Sequence, residues 1–210
     1  MEHNMNSLNA IGNTPIVRLE KIVPEDSAEV WIKLEGGNPT GSYKDRMALA
    51  VLSRALERED LVPGDTVVEY TGGSTGTALA FVSAVLGLKF IAVFSDAFSK
   101  SKQQAMEAFG AKVLVEKSDN GTITPDLIQR MKNRAYELAK KPNTYYADQF
   151  GSPDVTVGYE PMGQEIADAL DRHVDVLCAS VGTGGALMGT WQGLVKSGSK
   201  VRVVAFEPAQ

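Results

Sequence analysis

The sequence predicts an α/β protein with parallel sheet, because short apolar strands alternate with amphipathic helices along its 210 residues. Some strands, such as 203–206, are almost entirely apolar, which is typical of sheets that helices cover on both faces. The helices between them are long enough to cross back over a sheet. The connections are therefore expected to be right-handed crossovers between parallel strands.

The strands are predicted from runs rich in β-branched and aromatic residues. In chain order they lie at residues 30–34, 66–70, 90–94, 113–115, 174–180 and 201–206. The helices are predicted from apolar periodicity at 44–59, 75–86, 99–109, 125–140, 158–170 and 185–196. The fourth helix has the clearest start, because Thr124 can cap it and Pro125 suits its first turn.

The composition argues against several classes of function. A formal net charge of -5 argues against a nucleic-acid-binding protein, which is usually basic. The single cysteine, Cys178, excludes an internal disulfide and a cysteine zinc site, and is predicted to be a buried small apolar residue. Two histidines, His3 and His173, leave little material for a metal centre or a catalytic triad. Any chemistry is therefore expected from lysine or carboxylate groups.

No segment of the sequence indicates a membrane or secreted protein. The N-terminus lacks a basic and then apolar leader, and the longest nearly apolar stretch, 78–88, is too short to span a bilayer. A cytoplasmic protein without a metal or membrane partner is therefore expected.

Three glycine-containing segments occupy short connections into predicted helices, at residues 41–46, 71–76 and 182–185. The last two directly follow strands, at the edge where open parallel sheets bind ligands. Glycines there let a ligand approach backbone N–H groups, and a helix N-terminus favours an anion. One such turn is equally consistent with a tight connection. Two of them, together with a lysine, indicate a ligand site.

Lys44 is the most informative single residue, because it lies in the first turn of a predicted helix. The helix dipole disfavours a cation there, and partial burial would further favour the neutral amine that attacks a carbonyl group. The alternative is a solvated surface lysine, and the residue alone leaves the two balanced.

A dinucleotide site is the competing interpretation of the last glycine segment. Gly182 and Gly184, with Glu207 after the next strand, imitate part of a Rossmann motif. The third glycine of that motif would fall at position 187, which is Leu187, and no P-loop pattern occurs in the chain. Nucleotide binding is therefore disfavoured.

Five ordered motifs together resemble the cysteine synthase family of fold-type II pyridoxal-phosphate enzymes, from end to end of the chain. They lie at residues 11–19, 33–46, 71–76, 148–150 and 182–185. The resemblance implies a tryptophan synthase β-like fold of two three-layer αβα domains with mostly parallel sheets. A larger domain would comprise 11–34 and 151–210, and a smaller mobile domain 35–150. It also implies that the C-terminal part of the larger domain is missing, which would leave apolar surface uncovered, and that the protein is a homodimer.

The resemblance also implies a role for each site residue. Lys44 would bind pyridoxal phosphate covalently and then act as acid and base at the substrate α-carbon, while Ser74 would face the phenolic oxygen of the cofactor. The cofactor phosphate would be held by one loop, at Gly182, Thr183, Gly184 and Gly185. The substrate carboxylate would be bound at Thr71, Gly72, Thr75 and Gln149.

The implied reaction is replacement of the β-substituent of an activated L-serine, such as O-acetylserine, by sulfide to give L-cysteine. The alternatives are a serine or threonine dehydratase-type elimination and a non-catalytic, truncated family member. The chain departs from the usual family loop at Gly72, where Ser is usual, and at Ser74, where Asn is usual. Ala186 likewise stands where Thr often follows the phosphate loop. The smaller side chains predict more room beside the substrate carboxylate.

Overall fold

The computed structural model describes residues 6–207 and has the predicted alternation of strands and helices. The strands are β1 (Ile16–Leu19), β2 (Val30–Lys33), β3 (Thr66–Tyr70), β4 (Lys89–Ser95), β5 (Lys112–Glu116), β6 (Thr144–Tyr146), β7 (Val176–Ser180) and β8 (Arg202–Phe206). The helices are α1 (Lys44–Glu57), α2 (Ser74–Val85), α3 (Lys100–Ala108), α4 (Pro125–Ala139), α5 (Asp154–Ala169) and α6 (Gly185–Lys196). None of the helices in this part of the chain is long and apolar enough to cross a membrane.

The central sheet has four parallel strands in the order β5-β4-β3-β6. Strands β7 and β8 form a separate parallel pair, with Cys178 opposite Val204. Strands β1 and β2 pair antiparallel, which is the one departure from parallel pairing among the described strands. The α/β class predicted from the sequence is confirmed.

Helices cover both faces of the central sheet, because successive residues of each strand point to opposite sides. Val67 and Ala92 pack into a core with α1, α2 and α5, whereas Val68 and Val93 pack against α4. Thr124 caps α4 as predicted, since its side chain accepts a hydrogen bond from the Leu127 N–H. Burial of each large apolar side chain contributes roughly 1.5 to 3 kcal/mol.

Helix α5 begins four residues earlier than predicted and continues through Pro161. Its glycines allow close helix packing. A Cβ at Gly158 would lie 2.8 Å from the Arg46 carbonyl oxygen of α1, and one at Gly163 would lie 2.1 Å from the Thr190 carbonyl oxygen of α6. Contacts with two other helices therefore stabilise a segment whose own glycine and proline disfavour helix.

The β7–β8 and β1–β2 pairs expose apolar side chains, as the resemblance led us to expect. Val176, Val204 and Phe206 are exposed on the first pair, and Trp31 and Ile32 on the second. The prediction that Cys178 is buried is wrong, because within residues 6–207 no layer covers its side of β7.

Candidate active site

Lys44 and the loop at residues 182–185 lie together on the wall of one cavity. Lys44 is the first residue of α1, and the loop connects β7 to α6. The lining residues are Tyr43, Lys44, Ser180, Gly182, Thr183, Gly184, Ala186 and Leu187. The fold thus brings together two predicted functional segments that are far apart in the sequence.

Burial lowers the pKa of Lys44, and no carboxylate within residues 6–207 forms an ion pair with it to offset this effect. The Lys44 ammonium nitrogen lies 5.2 Å from the centre of the Tyr43 ring. The neighbouring Asp45 carboxylate is occupied by Thr40, from which it accepts hydrogen bonds of both the backbone N–H and the hydroxyl. Burial therefore shifts the protonation equilibrium of Lys44 toward the neutral, nucleophilic amine.

The loop at residues 182–185 leaves open space above its backbone. A Cβ at Gly182 or Gly184 would meet no atom within 4 Å, and Gly184 has a φ of +83°, which favours glycine. The Thr183 hydroxyl is buried and has no hydrogen-bond partner in the described structure. The loop also leads into α6, a helix whose first N–H groups have no intrahelical acceptor. An anion with several oxygens would satisfy all of these groups.

The residues predicted to bind a carboxylate form a second hydrogen-bonded group. The Thr75 hydroxyl donates to Gln149 Oε1 at 2.7 Å, and Gln149 Nε2 donates to the Tyr70 carbonyl oxygen at 3.1 Å. The Thr71 hydroxyl oxygen accepts the N–H groups of Gly73 and Gly76 at 3.0 and 3.1 Å. The 71–76 loop is therefore held in shape by its own threonine and by Gln149.

This second group does not line the Lys44 cavity. Ser74 is the half-buried first residue of α2, and neither it nor Thr71, Gly72, Thr75 or Gln149 belongs to the cavity wall. The predicted contact between Ser74 and a cofactor therefore stays a prediction.

The expectation of extra room at Gly72 is wrong. A Cβ placed there would lie 2.9 Å from Cε1 of the Phe98 ring, and one at Gly73 would lie 2.9 Å from the Lys102 side chain. Phe98 itself packs against Phe94, with ring centres 5.5 Å apart. An aromatic side chain from the β4–α3 connection thus fills the space that a smaller loop residue leaves.

A buried ion-pair network supports the start of α1 behind Lys44. The Arg46 guanidinium donates to Glu35 and to Glu165, each at 2.7 Å, and Lys33 pairs with the same Glu165 at 2.6 Å. Burial would raise the pKa of Glu165, but hydrogen bonds from Arg46 and Lys33 outweigh it and lower the pKa to about 2. The network ties the helix that carries Lys44 to α5.

Glu69 is a buried carboxylate at the end of β3, directly below the 71–76 loop. Its two oxygens accept the backbone N–H groups of Tyr70 and Gln149, each at 2.9 Å. Burial raises its pKa to about 8, although these two hydrogen bonds act in the opposite direction.

The family model described as pyridoxal-phosphate dependent enzyme matches residues 8–210. This chain belongs to that family. It is 33% identical to cysteine synthase B of Escherichia coli (strain K12) over 95% of its own length and 64% of that protein. It is 40% identical to O-ureido-L-serine synthase of Streptomyces lavendulae, over 96% of its own length and 61% of that protein. The predicted resemblance to cysteine synthases is confirmed.

Solved structures agree with this assignment. The crystal structure of an O-ureido-L-serine synthase matches with a TM-score of 0.86 at 38% identity, over 97% of this chain and 63% of the other. The structure of cysteine synthase from Entamoeba histolytica matches with a TM-score of 0.86 at 31% identity, over 97% of this chain and 60% of the other. The fold-type II architecture is thus confirmed, for a chain that spans less than two thirds of these proteins.

The residues present fit the cofactor of this family. The unpartnered Thr183 hydroxyl, the open backbone at Gly182 and Gly184 and the N-terminus of α6 would hold its phosphate. Lys44, on the wall of the same cavity, offers an amine whose protonation burial disfavours. Lys44 and the 182–185 loop therefore fit the amine-reactive and phosphate ends of pyridoxal phosphate.

Sequence reasoning did not single out Glu69, which holds Gln149, or Phe98, which packs against Gly72. It included Arg46 in the 41–46 segment but did not predict its ion pairs. The sequence did contain a signal for Glu69, since a glutamate lies within the apolar strand at 66–70. Glutamate is rarely buried without a partner, so its place there was unusual. No comparable signal existed for Phe98, whose contact with Gly72 depends on how the chain folds.

Proposed function

We propose that this chain carries the cofactor- and substrate-binding residues of an enzyme that replaces the β-substituent of an activated L-serine with sulfide, forming L-cysteine. The observation that carries the proposal is the shared cavity of Lys44 and the 182–185 loop, with its unpartnered Thr183 hydroxyl. The names of relatives support the reaction, since several are cysteine synthases at 33% to 37% identity. They span more sequence than this chain does.

The residues divide the chemistry between them. When bound, pyridoxal phosphate supplies an electron sink that makes the substrate α-proton acidic and its β-substituent a better leaving group. Lys44, with its lowered pKa, would accept and return that proton. The 71–76 loop, with Thr75 and Gln149 at the N-terminus of α2, would bind and orient the substrate carboxylate.

A second candidate differs only in the nucleophile. The relative named O-ureido-L-serine synthase is 40% identical to this chain, more than the 33% of the Escherichia coli cysteine synthase B. An O-ureido product would form if the hydroxyl oxygen of hydroxyurea, in place of sulfide, bonded to the substrate β-carbon while the original β-substituent left. The same residues would bind the amino-acid substrate in either case.

Product analysis tests these proposals. The full chain, loaded with pyridoxal phosphate, is incubated with O-acetylserine alone, with sulfide and with hydroxyurea. Cysteine formed with sulfide supports the main proposal, and O-ureido-L-serine formed faster with hydroxyurea supports the second. Pyruvate formed equally in all three would support the dehydratase-type elimination. No product from either O-acetylserine or O-phosphoserine would support a non-catalytic binding protein.

We further propose that residues 11–34 with 151–210 form the larger domain, that 35–150 form a smaller domain that closes over substrate, and that the enzyme is a cytoplasmic homodimer. The central sheet lies wholly within 35–150, which supports this division. The exposed apolar side chains of β1–β2 offer a surface that a second copy could cover. The free thiol of exposed Cys178 suits a reducing compartment. Light scattering during size-exclusion chromatography measures the oligomeric state.

A further inference from the structure

Glu69 is completely buried at the end of β3, yet no cation pairs with it among the described residues. Instead, each of its carboxylate oxygens accepts one backbone N–H, from Tyr70 and from Gln149, at 2.9 Å. The first of these bonds is local, whereas the second joins residues 80 positions apart in the sequence. Glu69 therefore fixes the β6–α5 connection to the edge of β3.

Gln149, whose backbone Glu69 holds, also has a side chain that reaches the 71–76 loop. Gln149 accepts the Thr75 hydroxyl at 2.7 Å and donates to the Tyr70 carbonyl oxygen at 3.1 Å. Its main chain is held by Glu69 and its side chain by the loop, so the position of the Thr75 hydroxyl depends on both. Thr75 and Gln149 are each almost completely buried, which leaves them little freedom to adjust.

We propose that Glu69 is a positioning residue for the amino-acid substrate: it fixes Gln149, so that the second Nε2–H of that side chain, which is not donated to the Tyr70 carbonyl oxygen, is oriented toward the substrate carboxylate. This inference rests on the proposed function, since it assigns the 71–76 loop to that carboxylate. Glu69 acts through Gln149 and does not contact the substrate.

A carboxyl group, which has two oxygens and no N–H, is the side chain that this place requires. Each oxygen accepts one N–H group, and a glutamine would turn its own N–H₂ group toward one of these donors. The other groups that face Glu69 are Tyr146, Asp148 and Tyr70, none of which is a cation. Asp148 has a left-handed backbone, with a φ of +50°, in the connection that Glu69 holds. Loss of one hydrogen bond would therefore release a strained turn beside Gln149.

The test measures ligand affinity by isothermal titration calorimetry on the full chain loaded with pyridoxal phosphate. The ligands are L-serine and 2-aminoethanol, which has the same amine and hydroxyl but no carboxylate. Glu69→Gln should weaken L-serine binding about tenfold and leave 2-aminoethanol binding and cofactor affinity unchanged. The matched control is Glu116→Gln, at the end of β5 in the same sheet, which should change neither ligand.

A second variant tests whether Glu69 acts through Gln149. In a Gln149→Ala background, the further change Glu69→Gln should alter L-serine affinity less than twofold, since the positioned side chain is already absent. Equal loss of both ligands in Glu69→Gln, or the same tenfold loss in the Gln149→Ala background, would overturn the positioning role.

Hydrogen exchange on the unmodified protein keeps the inference testable if Glu69→Gln does not fold. The Gln149 amide should be protected and should gain protection when L-serine binds. Exchange at the rate of an exposed amide would overturn the proposal. If the unmodified protein binds neither L-serine nor O-acetylserine, the proposed function fails and the positioning role with it. Unmodified and Glu69→Gln protein binding L-serine equally would refute the positioning role alone.

Discussion

The two loops of the candidate site, at residues 71–76 and 182–185, follow strands from two sheets that differ in how well they are covered. The 71–76 loop follows β3, a strand in the middle of a four-stranded sheet with helices on both faces. The 182–185 loop follows β7, which among the strands of residues 6–207 pairs with β8 alone; the pair exposes Val176, Val204 and Phe206. The same arrangement of strand, glycine-containing loop and helix is therefore found on a sheet covered on both faces and on a strand pair that is partly exposed.

The difference teaches that the two loops depend on different forces. The 71–76 loop has an internal hydrogen bond network, from Thr71 to Gly73 and Gly76, and neighbours that fill its surroundings. Within residues 6–207 the Thr183 hydroxyl has no hydrogen-bond partner and the backbone of the 182–185 loop is open, and α6 packs on α5 through close glycine contacts. We infer that the first loop is preformed, whereas the second gains stability when an anion binds.

The largest expected effect comes from the residue that faces the second loop. Lys44→Ala should reduce turnover at least about a thousandfold, because it removes both the amine that binds cofactor and the proton acceptor. The fold should persist, since Lys44 lies at a helix start and makes no ion pair within residues 6–207. The measurements are turnover with O-acetylserine and sulfide, and circular dichroism. Full turnover in this variant would show that the cavity is not the active site.

Arg46→Ala should be the most destabilising single change near the site. It leaves the Glu35 and Glu165 carboxylates partly buried without their shared cation, which costs about 3 to 5 kcal/mol of unfolding free energy. Urea denaturation measures this loss, and Arg18→Ala, which removes a solvent-exposed ion pair, is the control. A loss equal to that of the control would mean that the network does not tie α1 to α5.

Truncation of one apolar residue near each loop tests directly whether the central sheet and the β7–β8 pair differ in how well they are covered. Leu79→Ala in the fully buried face of α2 should cost about 2 to 5 kcal/mol. Val204→Ala on the partly exposed β8 should cost well under about 1 kcal/mol, because its side chain remains in contact with water. Similar losses in urea denaturation would show that β7–β8 is as well covered in solution as the central sheet.

The sequence predicted the elements whose signals are local. Strand β3 and helix α6 have the predicted bounds, and the segments that form the site were identified from their glycines and their place after strands. It failed where a distant contact decides the outcome. Gly158 and Pro161 disfavour helix locally, but packing against α1 and α6 extends α5 through both. Cys178 was predicted buried from its apolar neighbours, yet burial depends on which layers cover the strand.

The site shows the same limit. Lys44 and the 182–185 loop were grouped because both were expected at one edge of the sheet and in one family site, and in the structure they line one cavity. The prediction of more space at Gly72 considered only the size of the loop residues. Phe98 occupies that space from 26 positions further along the chain, and only the fold brings its ring there.

Acid is expected to lower the free energy of unfolding by a smaller amount, because Glu165 then loses its charge. Its pKa is lowered to about 2 in the folded protein, so its ion pairs stabilise the fold above the usual glutamate pKa near 4.5 and are lost as the pH falls toward 2. After discounting for its partial exposure, this contribution is on the order of 2 kcal/mol. The urea midpoint of Glu165→Gln should therefore depend less on pH between 5 and 2 than that of the unmodified protein. Parallel curves would contradict the assignment.

The smallest expected effect concerns the contact between the 71–76 loop and Phe98. Gly72→Ser restores the usual family residue, but its Cβ would lie 2.9 Å from the Phe98 ring, so the ring must shift at a cost of about 1 kcal/mol. Phe98→Leu removes the edge of the ring and should relieve most of that cost in the double variant. The same double variant should recover the L-serine affinity that Gly72→Ser loses, because the loop returns to its original shape. Urea denaturation and calorimetry measure the two quantities, and Gly36→Ser, at a glycine with open space around it and no left-handed backbone, controls for the loss of glycine alone. If Phe98→Leu restored neither the stability nor the L-serine affinity, contact with the Phe98 ring would not be the reason that Gly72→Ser is unfavourable.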